Sequence, residues 1–275
     1  MCDDTQCDCA DDLLTSSDVR TAIVSGETFL NRPIQYAAVG GLAVFEGCII
    51  LGEVDEVEAL TADARQAFKS GDDPEITPRG VIISGPEFRW PNATMPYEID
   101  PALPDINRQR VASAIAHWNA QTRMRFVLRT ASNASRHPNY VRFTPADGCW
   151  SYIGMRRRGR QDIGLSTRCG SGSTIHEIGH AFGLWHEQSR EDRNGHIRIL
   201  WQNIKAGKEH NFNQHISDGD DVGAYDYGSI MHYGSRYFSK NGDPTIEVLT
   251  PGKTIGQRRA LSQGDINAVH RMYGL

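Results

Sequence analysis

The sequence predicts an α+β protein, on three observations. Ile106 to Thr122 carries Val111, Ile115 and Trp118 at three- to four-residue spacing, the apolar stripe of an amphipathic helix. Arg125 to Arg129 and Tyr140 to Thr144 alternate apolar and polar residues as half-buried strands do, and Asp162 to Ser166 adds another short strand. A further helix is expected through His176, Glu177 and His180, where residues four apart share one face.

The remaining elements follow in chain order. Ser17 to Asn31 is helix-like. Tyr36 to Gly52 is the most apolar stretch, but Gly40, Gly41, Glu46 and Gly47 interrupt it, so it reads as two short strands and a turn. An acidic run through Gly71-Asp72-Asp73-Pro74 leads to Thr77-Pro78-Arg79-Gly80, a loop-like sequence with a basic residue that a protease could cut. Residues 1–80 therefore differ from the rest. Ser173 or Thr174 offers a side-chain oxygen to cap the histidine helix. Ser262-Gln263-Gly264-Asp265 resembles a capping box opening a final helix that ends near Gly274.

Composition narrows the function classes. At 275 residues the chain can bury a sizeable core, and 39% hydrophobic with 23% charged residues is ordinary for a globular protein. A net charge of −5 gives no reason to expect nucleic acid, and no apolar run is long enough to span a bilayer. The basic run Met155-Arg156-Arg157-Arg158-Gly159-Arg160 is short and reads as a solvated loop near the cleft. Asp218, Asp220 and Asp221 fit no calcium-loop spacing. Six cysteines sit at 2, 7, 9, 48, 149 and 169, and a disulfide between Cys149 and Cys169 would imply an oxidising compartment. The amino terminus lacks the basic-then-apolar pattern of a secretory leader and looks like a start placed after one was removed; its aspartates suggest a disordered acidic tail. A secreted or extracytoplasmic monomer is expected.

His176-Glu177-Ile178-Gly179-His180-Ala181-Phe182-Gly183-Leu184-Trp185-His186 carries the chemistry. His176 and His180 can face one metal with Glu177 beside it, and Gly183 can break the helix so that His186 swings in as a third ligand. Three protein ligands leave a position for water, the signature of a catalytic zinc. The full pattern should arise by chance in only about one such chain in ten thousand.

From Trp90 onward the sequence resembles the astacin family of metzincin zinc endopeptidases. The resemblance rests on the extended zinc sequence running to Arg193, on Ser229-Ile230-Met231-His232-Tyr233-Gly234, which resembles the Met-turn, and on Gly148 to Gly154 and Asn211-Phe212. It implies a two-lobed domain over residues 81–275. The upper lobe (81–185) would hold a mixed sheet and the active-site helix. The lower lobe (186–275) would be irregular and carry the Met-turn and last helix. It further implies one Zn2+ ion bound by His176, His180 and His186, with Glu177 as general base toward the attacking water. Tyr233 would be a further ligand in the mature resting form that swings out to stabilise the oxyanion, and Met231 an apolar floor. Protein or peptide substrates follow, and acidic residues just after the scissile bond would meet Arg190 or a nearby basic residue. Arg123-Met124 occupies the place where animal members have a cysteine, so only Cys149–Cys169 is expected as a disulfide, as in a minimal, bacterial-type member. A zinc-containing peptide-binding module without catalysis is the rival reading.

Pro-segments of the family resemble Phe-x-Gly-Asp, whose aspartate takes the metal position that water needs. Here the sequence is Phe45-Glu46-Gly47-Cys48. Thiolate is a softer zinc ligand than carboxylate, so Cys48 is expected to close the site and keep residues 1–80 an inhibitory pro-segment. A buried free cysteine, or a disulfide to an amino-terminal cysteine, are the alternatives. Activation would follow cleavage near Arg79 to Val81, and the freed terminus would pair with Glu187.

Overall fold

The structure, a computed structural model, describes residues 12–26, 29–71, 81–82, 84–214 and 222–275. Cys2, Cys7 and Cys9, most of the stretch Thr77 to Val81 where cleavage is expected, and Asp218, Asp220 and Asp221 lie outside the described residues.

Twelve strands and four α-helices are described. They are β1 (Val19–Ser25), β2 (Arg32–Val39), β3 (Leu42–Phe45), β4 (Ile49–Glu53), α1 (Val54–Lys69), β5 (Val81–Ile82), β6 (Thr94–Ile99), α2 (Asp105–Gln121), β7 (Arg125–Leu128), β8 (Tyr140–Pro145), β9 (Cys149–Tyr152), β10 (Arg160–Leu165), α3 (Ser171–Ala181), β11 (Ile197–Ile199), β12 (Ile246–Val248) and α4 (Gln263–Tyr273). β11 and β12 pair antiparallel on their own. The other ten form one sheet in the order β5-β1-β2-β3-β4-β9-β10-β8-β6-β7. Its midpoint is the parallel pairing of β4 with β9, Ile49 opposite Ser151 and Ile50 opposite Tyr152. The amino-terminal segment and the rest of the chain thus share a single sheet.

Two expectations for that segment are corrected. Ser17 to Asn31 is not helical: it contains β1, which pairs antiparallel with β2 and buries Ala22 to Ser25. A short apolar run such as Ala22-Ile23-Val24 fits either period, and pairing on both sides decides for the strand. Tyr36 to Gly52 holds parts of three strands rather than two, with turns at Gly40-Gly41 and Glu46-Gly47, all four residues at positive φ. The helix α1 was not foreseen. Its buried stripe is Val54, Val57, Thr61 and Ala64, and threonine and alanine dilute the apolar signal.

In the larger unit, α2 and α3 pack together against the sheet. Trp118 is fully buried, donates its indole N–H to Ile175 O at 3.1 Å and lies 5.1 Å from the Phe182 ring. Burial of a side chain this size stabilises by roughly 1.5–3 kcal/mol. α4 adds Val269 to the same core, and Tyr273 bridges Trp90 N–H and Phe182 O. The Ser262–Asp265 capping box is formed, and Gly274 ends the helix in the left-handed region. Neither Ser173 nor Thr174 caps α3. Its N-cap is Gly170, and the Thr174 hydroxyl, inside the first turn, donates back to Gly170 O at 3.0 Å. Cys149 and Cys169 are joined in a disulfide that ties the start of β9 to the approach of α3.

Candidate metal centre

The buried helix α3 ends in a way that brings its histidines together with the residues beyond it. Gly183 has φ of 101°, its N–H donates to His180 O, and Leu184 N–H donates to Gly179 O, the paired bonds of a Schellman cap. The chain then turns back to deliver His186. Below the helix a Cβ on Gly179 would stand 2.8 Å from Met231 Sδ, so a glycine there lets the buried Met231 close underneath.

His176, His180 and His186 are all buried, and each has its Nδ1 engaged. His176 Nδ1 lies 2.8 Å from Ile230 O, His180 Nδ1 2.8 Å from Leu184 O and His186 Nδ1 2.6 Å from the Glu46 carboxylate. Those oxygens carry no proton, so each Nδ1 donates and each Nε2 presents a lone pair. Burial, reinforced by the positive charge of Arg258, pushes all three imidazoles well below their ordinary range and keeps them neutral. The Nε2 atoms of His176 and His180 are 3.0 Å apart.

Cys48 stands among them. Its Sγ lies 3.7, 3.4 and 3.3 Å from Nε2 of His176, His180 and His186. It is buried, and the expected alternative of a bridge to an amino-terminal cysteine falls on Cys2, Cys7 and Cys9, outside the described residues. The four ligand atoms lie within 4.8 Å of one another. Three neutral imidazole nitrogens and a sulfur are a donor set suited to Zn2+. Glu177 adds a second sign of fit. Its buried Oε2 has no hydrogen-bond partner among the described residues, and burial drives its carboxyl well above the usual range, against the Arg258 charge.

Glu46 is the residue sequence reasoning missed. It is buried at a positive φ of 45°, one carboxylate oxygen accepts from His186 and the other from the Ser189 hydroxyl. Its backbone carbonyl accepts from the Tyr233 hydroxyl at 2.7 Å. The only hint in the sequence was its place next to Cys48 in the Phe45-to-Cys48 turn. Tyr233, expected beside the metal in a mature form, is here held by the amino-terminal segment, with its ring 4.8 Å from His186.

The first described residues cover this site. Leu14 N–H donates to Gly47 O, Asp12 is buried and accepts from Arg168 Nε at 2.7 Å, and Lys208 Nζ reaches Ser16 O. Asp12, counted among the aspartates of an acidic tail, is thus packed against the larger unit. Asp12, Leu13, Cys48, His176, Glu177 and Arg258 line one small cavity. Arg190, the basic residue singled out in the sequence, is instead buried in pairs with Asp192 and Gly223 O. Glu187 accepts from Asp226 N–H at 2.7 Å. Burial outweighs that bond and the nearby Arg190, raising its carboxyl to about 8.

The family model of the astacin peptidases matches residues 82–274. The chain belongs to the astacin family. Among curated astacin relatives, Blastula protease 10 of Paracentrotus lividus is 39% identical over 226 residues, covering 78% of this chain and 37% of its own. Meprin A subunit beta of Homo sapiens is 36% identical over 246 residues, covering 86% of this chain and 34% of its own. The chain spans about a third of the length of these relatives. The solved structure of High choriolytic enzyme 1, a hatching enzyme zinc-protease from Oryzias latipes, superposes with a TM-score of 0.60 at 32% identity. That match covers 68% of this chain and 92% of the other. The astacin fold, with its mixed sheet and active-site helix, is therefore the fold of this chain.

Proposed function

We propose that this astacin is a zinc endopeptidase held latent by its own residues 1–80, with residues 81–275 as the catalytic domain. The observation that carries the reading is Cys48 Sγ within 3.7 Å of all three histidine Nε2 atoms. His176, His180 and His186 hold the metal, and Cys48 takes the position that water would need. Bound there, Zn2+ would supply Lewis acidity toward the scissile carbonyl and toward an attacking water.

The chain's own residues do the rest. Glu177 Oε2, buried without a partner among the described residues, takes the water's proton and hands it to the departing amine. The Tyr233 hydroxyl, now spent on Glu46 O, becomes available once the pro-segment leaves and donates to the carbonyl oxygen as charge builds there. Arg258 lines the cavity and favours an acidic side chain beside the scissile bond. Cleavage near Arg79 to Val81 frees a terminus that pairs with Glu187, a buried carboxylate beside the third ligand. The disulfide supports an extracytoplasmic setting. Among the described residues no helix is long and apolar enough to cross a membrane.

The test is casein hydrolysis by the chain cleaved near Arg79. Activity should appear on cleavage and vanish both with a chelator and with Glu177→Ala. Peptide binding without hydrolysis would favour the silent binding module.

A further inference from the structure

The basic run from Met155 to Arg160 is not simply a solvated loop. Its backbone is pinned from the catalytic side. Gly154 N–H donates to His180 O, Met155 N–H to Phe88 O and Arg156 N–H to the Gln161 side chain, while Gln161 Nε2 returns a bond to Gly154 O. None of these partners lies in residues 1–80. The loop leaves β9 beside His180, and the Arg156 guanidinium lies over that strand, which β4 flanks in the sheet. Arg156 stacks 4.7 Å above the Tyr152 ring.

Between the arginines sits Glu56, from the first turn of α1. One carboxylate oxygen is 3.2 Å from Arg156 Nη2 and the other pairs with Arg158. The sequence from 155 to 162 holds four arginines and one acid, Asp162, which pairs with Arg160. Departure of residues 1–80 would take Glu56 away and leave two neighbouring guanidinium groups beside β9, with Arg156 still stacked on Tyr152. Planar guanidinium pairs of this kind select carboxylates.

We propose that Arg156 and Arg158 form a remote binding site for an acidic side chain of the peptide substrate, which Glu56 fills in the precursor. This rests on the endopeptidase reading above. It is separate from Arg258 at the cleft centre. β4 (Ile49–Glu53) follows Cys48 and pairs with β9 at Ile49 and Ile50, so about five residues or roughly 17 Å of extended chain separate Cys48 from the start of α1. A substrate lying on β9 would therefore place the favoured acid about four to six residues from the scissile bond.

The test uses the full chain activated by limited proteolysis and peptides with a single Glu, or Ala in its place, scanned on both sides of the bond. The Glu-to-Ala ratio of kcat/KM should rise roughly three- to ten-fold in one window on one side. That advantage should shrink between about 0.05 and 0.5 M NaCl. It should fall to about one in Arg156→Ala/Arg158→Ala and be partly kept in Arg156→Lys/Arg158→Lys. A ratio near one at every remote position, or one unchanged in the alanine pair, overturns the site while leaving the endopeptidase reading intact. Should the alanine pair fail to fold, the lysine pair and the salt series on the unaltered protein still decide. Failure of the activated chain to cleave any peptide would overturn the endopeptidase reading and this site with it.

Discussion

Replacing Glu46 with Ala removes two buried acceptors at once, those for the His186 imidazole N–H and the Ser189 hydroxyl. Both donors belong to the catalytic unit and would be left unsatisfied in a closed site. Hydrogen bonds to a charged group contribute about 1.5–3 kcal/mol each. The bond from Tyr233 to the Glu46 backbone carbonyl survives the change, as does the positive φ, so neither offsets the loss. Docking of the pro-segment should weaken by about 3 kcal/mol or more, roughly a hundred-fold rise in its open population. Hydrogen exchange on the intact precursor, carrying Glu177→Ala to prevent self-cleavage, reads this directly. Amides of β3 and β4 should exchange about a hundred times faster, while those of α2 and α4 keep their protection. Exchange in β4 within a factor of two of the unaltered chain would mean that Glu46 does not hold the segment in place.

Other consequences follow from the same geometry. Cys149→Ser with Cys169→Ser opens a 20-residue loop and should cost about 3 kcal/mol in urea unfolding under oxidising conditions, with no cost under reducing ones. Asp265→Ala removes the acceptor for Ser229 Oγ, Ile230 N–H and Ser262 N–H, so it should destabilise by about 2–4 kcal/mol. Because Ile230 O orients His176, zinc release to a chelator should also quicken in that variant, roughly ten-fold or more. Stripping the metal should leave four buried ligand atoms without their ion, lowering the melting temperature of the precursor by several degrees, about what 1–2 kcal/mol gives.

The histidine site was legible because its ligands are close in sequence: helical spacing fixes His176 and His180, and one glycine accounts for His186. Cys48 was legible for another reason. It falls in the turn after β3, where the Phe-x-Gly-Asp pattern of the family's pro-segments has its aspartate. Glu46 offered no such signal, since its partner is 140 residues away and a glutamate in a turn is ordinarily solvated. The joining of both units into one sheet was hidden likewise, as β4 and β9 are about a hundred residues apart and edge pairing leaves no local trace. β1 was misread because a short apolar run serves either period, and α1 because Thr61 and Ala64 thin its buried stripe.

In the intact chain Cys48 is proposed to supply a metal ligand. X-ray absorption on the zinc-loaded precursor tests it most directly. One sulfur near 2.3 Å is expected beside nitrogen ligands, lost in Cys48→Ala together with latency. Nitrogen and oxygen ligands alone in a precursor that is still latent would contradict it.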